Sequence, residues 1–128
     1  MSRLEHANIT VADPDAAAAL FERLFGWQVR WAGSAINGGR SVHVGARDSY
    51  LAFYRPPGAL SEASESYTTV GGLNHVGLVV DDLDAMQARI EAAGFVTHSH
   101  ADYEPGRRFY ADLLPGLEVE VIAYDPPD

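Results

Sequence analysis

A chain of 128 residues with a formal net charge of −9 can bury one shared core but not two independent ones, and that charge, offset by no basic cluster longer than Arg107-Arg108, repels nucleic acid and anionic membrane surfaces. Cysteine is absent, which excludes disulfides, thiolate metal sites and cysteine nucleophiles. A hydrophobic fraction of 47% against 21% charged residues excludes global disorder.

Residues 4–11 alternate, with Leu4, His6, Asn8 and Thr10 on one side and Glu5, Ala7, Ile9 and Val11 on the other, the period of a half-buried strand. A helix follows, with Asp13 as N-cap, Pro14 in the first turn, a buried stripe of Ala17, Leu20, Phe21 and Leu24, and Gly26 as its end. Three short strands are predicted at 27–32, 40–46 and 49–55, separated by Asn37-Gly38-Gly39 and a tight turn at Arg47-Asp48. Residues 56–72 are rich in Pro, Gly, Ser, Thr and Glu without a sustained period and read as a linker. The plan then repeats: a strand at 73–80, a helix from Asp82 to Gly94, and strands near 95–100, 107–112 and 117–124. The chain thus divides into module one, 1–55, the linker, and module two, 73–128.

The repeat is visible residue by residue. Pairing 5–22 with 74–91 gives seven identities in eighteen positions, at His6, Val11, Asp13, Asp15, Ala16, Ala19 and Glu22. A lone strand histidine is more often structural than a ligand, but this one recurs as His75, on the side opposite the helix-facing Val76, Leu78 and Val80. In the last strand Leu117, Val119, Val121 and Ala123 form an apolar face and Glu118, Glu120, Ile122 and Tyr124 the other. Glu120 lies mid-strand between valines, where a carboxylate is costly unless paired, hydrogen-bonded or metal-bound. Glu118 fits a solvated edge residue. His98 and His100 share a strand face by spacing, and with no third ligand recurring nearby they read as polar surface. Trp27 and Trp31 fall on one face of the second strand by the same alternation, and at least one of them belongs to the core.

The strand-one motif Leu4-Glu5-His6-Ala7-Asn8-Ile9-Thr10-Val11, the second opening Gly72-Leu73-Asn74-His75-Val76-Gly77-Leu78-Val79-Val80 and the closing Arg108-Phe109-Tyr110-Ala111-Asp112 through Leu117-Glu118-Val119-Glu120-Val121 resemble the vicinal oxygen chelate superfamily, which includes glyoxalase I, fosfomycin-resistance and bleomycin-resistance proteins and extradiol dioxygenases. The resemblance covers essentially the whole chain. It implies an α+β fold of two βαβββ modules forming a cup-shaped, half-open barrel, and it places His6, His75 and Glu120 at ligand positions for a divalent ion (Fe, Mn, Ni or Zn) with open neighbouring coordination sites. The chain departs from the family's four-ligand members at Ser49-Tyr50-Leu51-Ala52-Phe53-Tyr54, where Tyr50 or Ala52, depending on register, stands in place of a glutamate.

The expected function is that of a glyoxalase-like metalloenzyme, of lyase, isomerase or dioxygenase-related type, acting on a small substrate whose adjacent oxygens chelate the ion. Glu120 and Tyr50 are the candidate proton shuttles by position. His43, Ala52, Tyr54, Trp31, Arg108 and Tyr124 are the candidate substrate contacts. Replacing Glu120 with alanine is expected to strip metal and spare the fold. The rival is a metal-free small-molecule or antibiotic-binding protein of the bleomycin-resistance type, for which Trp27, Trp31, Tyr50 and Tyr54 would supply ring surface. The resemblance also implies a homodimer. With no signal-peptide pattern and no apolar run of spanning length, a cytoplasmic location is expected.

Overall fold

The computed structural model describes residues 1–35 and 37–124, and the last four positions of the second module lie outside the described residues. The elements come in two series of strand, helix and three strands, and the chain divides into compact units at Ser61/Glu62.

In the first unit β1 (His6–Thr10), α1 (Pro14–Phe25), β2 (Gln28–Ser34), β3 (Arg40–Gly45) and β4 (Tyr50–Arg55) form a helix on a four-stranded sheet. The sheet order is β1-β4-β3-β2, with β1 parallel to β4 and the other pairs antiparallel. Asp13 accepts the Ala16 amide at 3.1 Å, satisfying one of the orphan donors of the first turn, and Gly26 closes the helix at φ 71, a left-handed conformation that glycine adopts without penalty. The helix buries Ala17, Ala18, Phe21 and Leu24. Ala18 joins the buried stripe and Leu20 is only half-buried, a small rotation of the face expected from spacing. Phe21 meets Phe53 of β4 edge to face at 5.2 Å between ring centroids.

The second unit repeats the arrangement with β5 (His75–Val79), α2 (Leu83–Ala92), β6 (Thr97–Tyr103), β7 (Gly106–Leu114) and β8 (Leu117–Tyr124), in the order β5-β8-β7-β6. Asp82 caps α2 by accepting the Ala85 amide at 3.0 Å. On β7 and β8 alternate residues Phe109, Ala111, Leu113, Leu117, Val119 and Val121 are buried. Their neighbours Arg108, Tyr110, Asp112, Glu118 and Glu120 are therefore delivered to the opposite face.

The outer strand of each sheet carries an irregularity, and the second sheet has a further slip between Asp112 and Leu114 of β7. The ladder slips between Val29 and Trp31 in β2 and between His98 and Ala101 in β6. Such a bulge adds a residue to one strand and changes which face its side chains take. Two spacing-based expectations are corrected by it. Trp27 packs on Phe21 and Phe25 of the helix, at 5.7 and 5.8 Å, whereas Trp31 lies against His43 at 5.0 Å, so the tryptophans do not share a face. Likewise His98 stacks on Tyr110 while His100 contacts the core ring of Phe109.

Candidate functional site

The polar face of the second sheet is organised around Glu120. Register sets Glu120 beside Tyr110 on β7 and Gly77 on β5, with His98 beyond Tyr110 on β6. The Tyr110 hydroxyl donates to Oε2 of Glu120 at 2.6 Å and the Arg108 guanidinium donates to the same oxygen at 3.3 Å. Arg108 is held over the Tyr103 ring at 4.4 Å. The Arg108 and Glu120 side chains are only 11% and 14% exposed, so each neutralises a charge that water cannot reach freely. Both donors engage Oε2, and Oε1 faces the Nε2 atom of His75 at 4.0 Å.

That pair of atoms fits a divalent ion. Nitrogen and oxygen ligands at about 2.0–2.2 Å from a tetrahedral centre lie about 3.4 Å apart, so a shift of about half an ångström would bring His75 and Glu120 onto one ion. His75 Nδ1 is buried without a hydrogen-bond partner, so no protein group ties the ring's lone pair to that nitrogen. Neutral imidazole and carboxylate are donors suited to first-row divalent metals.

Hydrogen bonding to Glu120, with a further contribution from desolvation, pushes the Tyr110 phenol up to about 12. It is therefore a hydrogen-bond donor at neutral pH and not a base. Below pH ~10 both folded and unfolded chains keep this proton, and above it the unfolded chain releases it first. Tyr110 should thus stabilise the fold fully below pH ~10 and lose that contribution as pH rises through about 12. Phenolate absorbance of the native protein, compared with Tyr110→Phe, should reveal one phenol ionising near the upper value; a difference spectrum developing near pH 10 would contradict the hydrogen bond.

In the first unit the face of β1 bearing His6 carries a column of rings. His6 stacks on Tyr50 at 4.8 Å, Tyr50 on His43 at 4.6 Å, and His43 meets Trp31. Arg30 lies over the Tyr50 ring at 4.7 Å. Glu5 takes hydrogen bonds from His6 Nδ1 at 2.9 Å and from the Tyr50 hydroxyl at 3.2 Å. Those two bonds, that from His6 foremost, hold the Glu5 carboxyl below its usual range. With Nδ1 committed to Glu5, the free lone pair of His6 is at Nε2, the arrangement that carboxylate partners impose on metal-binding histidines. Desolvation leads in raising the Tyr50 phenol and in lowering His43, which favours the neutral imidazole there.

Register resolves the ambiguity at the missing carboxylate. His6 pairs with Tyr50 and Asn8 with Ala52, whereas His75 pairs with Glu118 and Gly77 with Glu120. Ala52 thus occupies the Glu120-equivalent place, beside His43 and almost wholly buried at 1% exposure. Tyr50 is the counterpart of Glu118. Tyr54 bonds to Asn37 through its hydroxyl, and Tyr124 is exposed at the end of β8 opposite Gly106. Tyr110 and Asp112 are functional-face residues outside the expected set, although the alternation Arg108-Phe109-Tyr110-Ala111-Asp112-Leu113 is a signal for them. Tyr67, whose hydroxyl donates to Glu118, lies in an aperiodic segment and had none.

A family model described as the Glyoxalase/Bleomycin resistance protein/Dioxygenase superfamily matches residues 3–127. No curated protein sequence matches significantly. Among solved structures, a glyoxylase/bleomycin resistance protein/dioxygenase domain from Frankia sp. has a TM-score of 0.81 at 16% identity, with 98% of this chain and 99% of that one covered. TnmS3, an antibiotic binding protein from Streptomyces sp., has a TM-score of 0.74 at 19% identity, with 98% of each chain covered. FosX, a fosfomycin resistance protein from Listeria monocytogenes, has a TM-score of 0.74 at 16% identity, with 98% of this chain and 95% of that one covered. These likenesses carry the fold of two βαβββ modules, and the match to the family model over nearly the full length carries the lineage: the chain belongs to the glyoxalase/bleomycin resistance protein/dioxygenase superfamily.

Proposed function

We propose that the chain is a metal-dependent enzyme of the glyoxalase-like kind, in which His75 and Glu120 hold a divalent ion and a small substrate with adjacent oxygens is the ligand acted upon. The observation that carries this reading is the arrangement of Glu120, whose Oε2 is engaged by Arg108 and Tyr110 while Oε1 faces His75. A bound ion would supply Lewis acidity toward substrate oxygens. His6 enters the reading through the repeat and through the Glu5 contact that leaves its Nε2 lone pair free. Arg108 and Tyr110 are positioning residues, fixing the rotamer and charge of Glu120. Tyr50, protonated at neutral pH, can donate a hydrogen bond or a proton but cannot serve as a resting base.

Elemental analysis of untagged protein tests the proposal. A first-row divalent metal is expected at His75 and Glu120, about one equivalent per chain being lost in His75→Ala and in Glu120→Gln with the circular dichroism spectrum unchanged. Metal content unaffected by either change would overturn the assignment.

A second reading is favoured by one observation, the column of Trp31, His43, Tyr50 and His6 with Trp31 47% exposed. Exposed ring surface of this kind suits a planar aromatic ligand, as in a metal-free antibiotic-binding protein. Quenching of tryptophan fluorescence by such compounds, undiminished after metal stripping, would favour it over the first. Among the described residues no helix is long and apolar enough to cross a membrane. Homodimer formation and a cytoplasmic location complete the proposal, the former open to sedimentation analysis.

A further inference from the structure

Beyond Glu120 the second sheet gathers another set of donors. His98, Asp112 and Glu118 come from three adjacent strands, and one ligand atom of each lies within 4.8 Å of the others. Neither His75 nor Glu120 is among them. Sequence spacing coupled His98 to His100 and offered no third ligand. The bulge in β6 undoes that coupling: Ser99 takes φ 56, His100 turns to the core ring of Phe109, and His98 is left on the face of Tyr110 and Asp112.

Four further features point to a cation. His98 Nδ1 is bonded to the Ser99 hydroxyl at 2.9 Å. Its Nε2 is shut off from solvent without a hydrogen-bond partner, 3.5 Å from Oδ1 of Asp112. Asp112 and Glu118 are directly opposed in register, and like charges so placed destabilise a sheet unless something positive lies between them. The two carboxylates also form part of the wall of a cavity of about 580 Å³ shared with Tyr67, Asn74 and Phe95, which leaves room for water or a further ligand on the ion.

We infer that His98, Asp112 and Glu118 form a second divalent cation site, one imidazole and two carboxylates, suited to zinc, manganese, cobalt or nickel. Ligand atoms around such an ion are about 3–3.5 Å apart, and Asp112, whose side chain is 71% exposed, is free to close the remaining gap. The Tyr67 hydroxyl, donating to Glu118, would orient that carboxylate. The inference is independent of the site proposed at Glu120.

The test is calorimetric titration of chelator-stripped, full-length His75→Ala protein with zinc chloride, a background in which the other site is disabled. One zinc per chain is expected, weakened by about tenfold or more on adding Asp112→Asn or His98→Ala. Asp112→Asn preserves shape at an exposed position, so a loss of binding with an unchanged dichroism spectrum reports ligation and not unfolding. No zinc bound by the His75→Ala protein, or equal affinity after either added change, would overturn the inference.

Discussion

Alanine at position 120 is expected to lower the free energy of unfolding by about 3–5 kcal/mol, because it leaves the Arg108 guanidinium largely buried without its counter-charge. This revises the expectation from sequence that Glu120→Ala spares the fold, since the strand alternation gave no view of Arg108 folding inward against Glu120. Glutamine keeps an acceptor oxygen for Tyr110 and Arg108 and should cost less than alanine. Replacing both partners by apolar residues of similar volume, as in Glu120→Leu with Arg108→Met, should recover most of the loss. Urea unfolding of the wild type and these three variants measures the differences. A destabilisation under about 1 kcal/mol for the alanine variant would place the pair among weak, solvent-screened contacts.

The second large effect is expected at Phe109, which is fully buried between Arg108 and Tyr110 in sequence, with its own side chain on the core side of β7. Phe109→Ala should destabilise by about 3–5 kcal/mol through lost burial and the cavity left behind, and Phe109→Leu by less. The functional consequence follows from geometry. Arg108 and Tyr110 are aimed at Glu120 by the same strand whose opposite face Phe109 anchors, so loosening it should let the Tyr110 phenol ionise nearer its ordinary value. Thermal or urea unfolding gives the first quantity and phenolate absorbance the second. A large stability loss with the Tyr110 ionisation still near 12 would separate the clamp from the core.

Much of this was legible before any coordinates. The recurrence of His6 as His75, the capping aspartates Asp13 and Asp82, and the alternation around Glu120 each follow from local rules of period and cap chemistry, and the strands and helices of the two βαβββ series come in the order those rules give. Three features were not legible. The bulges in β2 and β6 leave no compositional mark, and each invalidates an inference from strand alternation: Trp27 with Trp31, four residues apart, is wrong for that reason, and so is His98 with His100, two apart. The register of β4 against β1 decides between Tyr50 and Ala52 and depends on strand pairing rather than on either strand's own sequence. Tyr67 reaches Glu118 from a segment without period. The donor set His98, Asp112 and Glu118 needs both the bulge in β6 and the pairing of β7 with β8.

In the proposed centre Glu120 turns one oxygen inward to its own clamp and would offer the other to an ion shared with His75. Soaking crystals of the full chain in manganese or nickel and locating the ion by anomalous scattering tests this directly. A peak at about 2.0–2.2 Å from both His75 Nε2 and Glu120 Oε1, with Arg108 and Tyr110 still on Oε2, is the predicted result; a fully soaked crystal with no peak bridging those two atoms would contradict it.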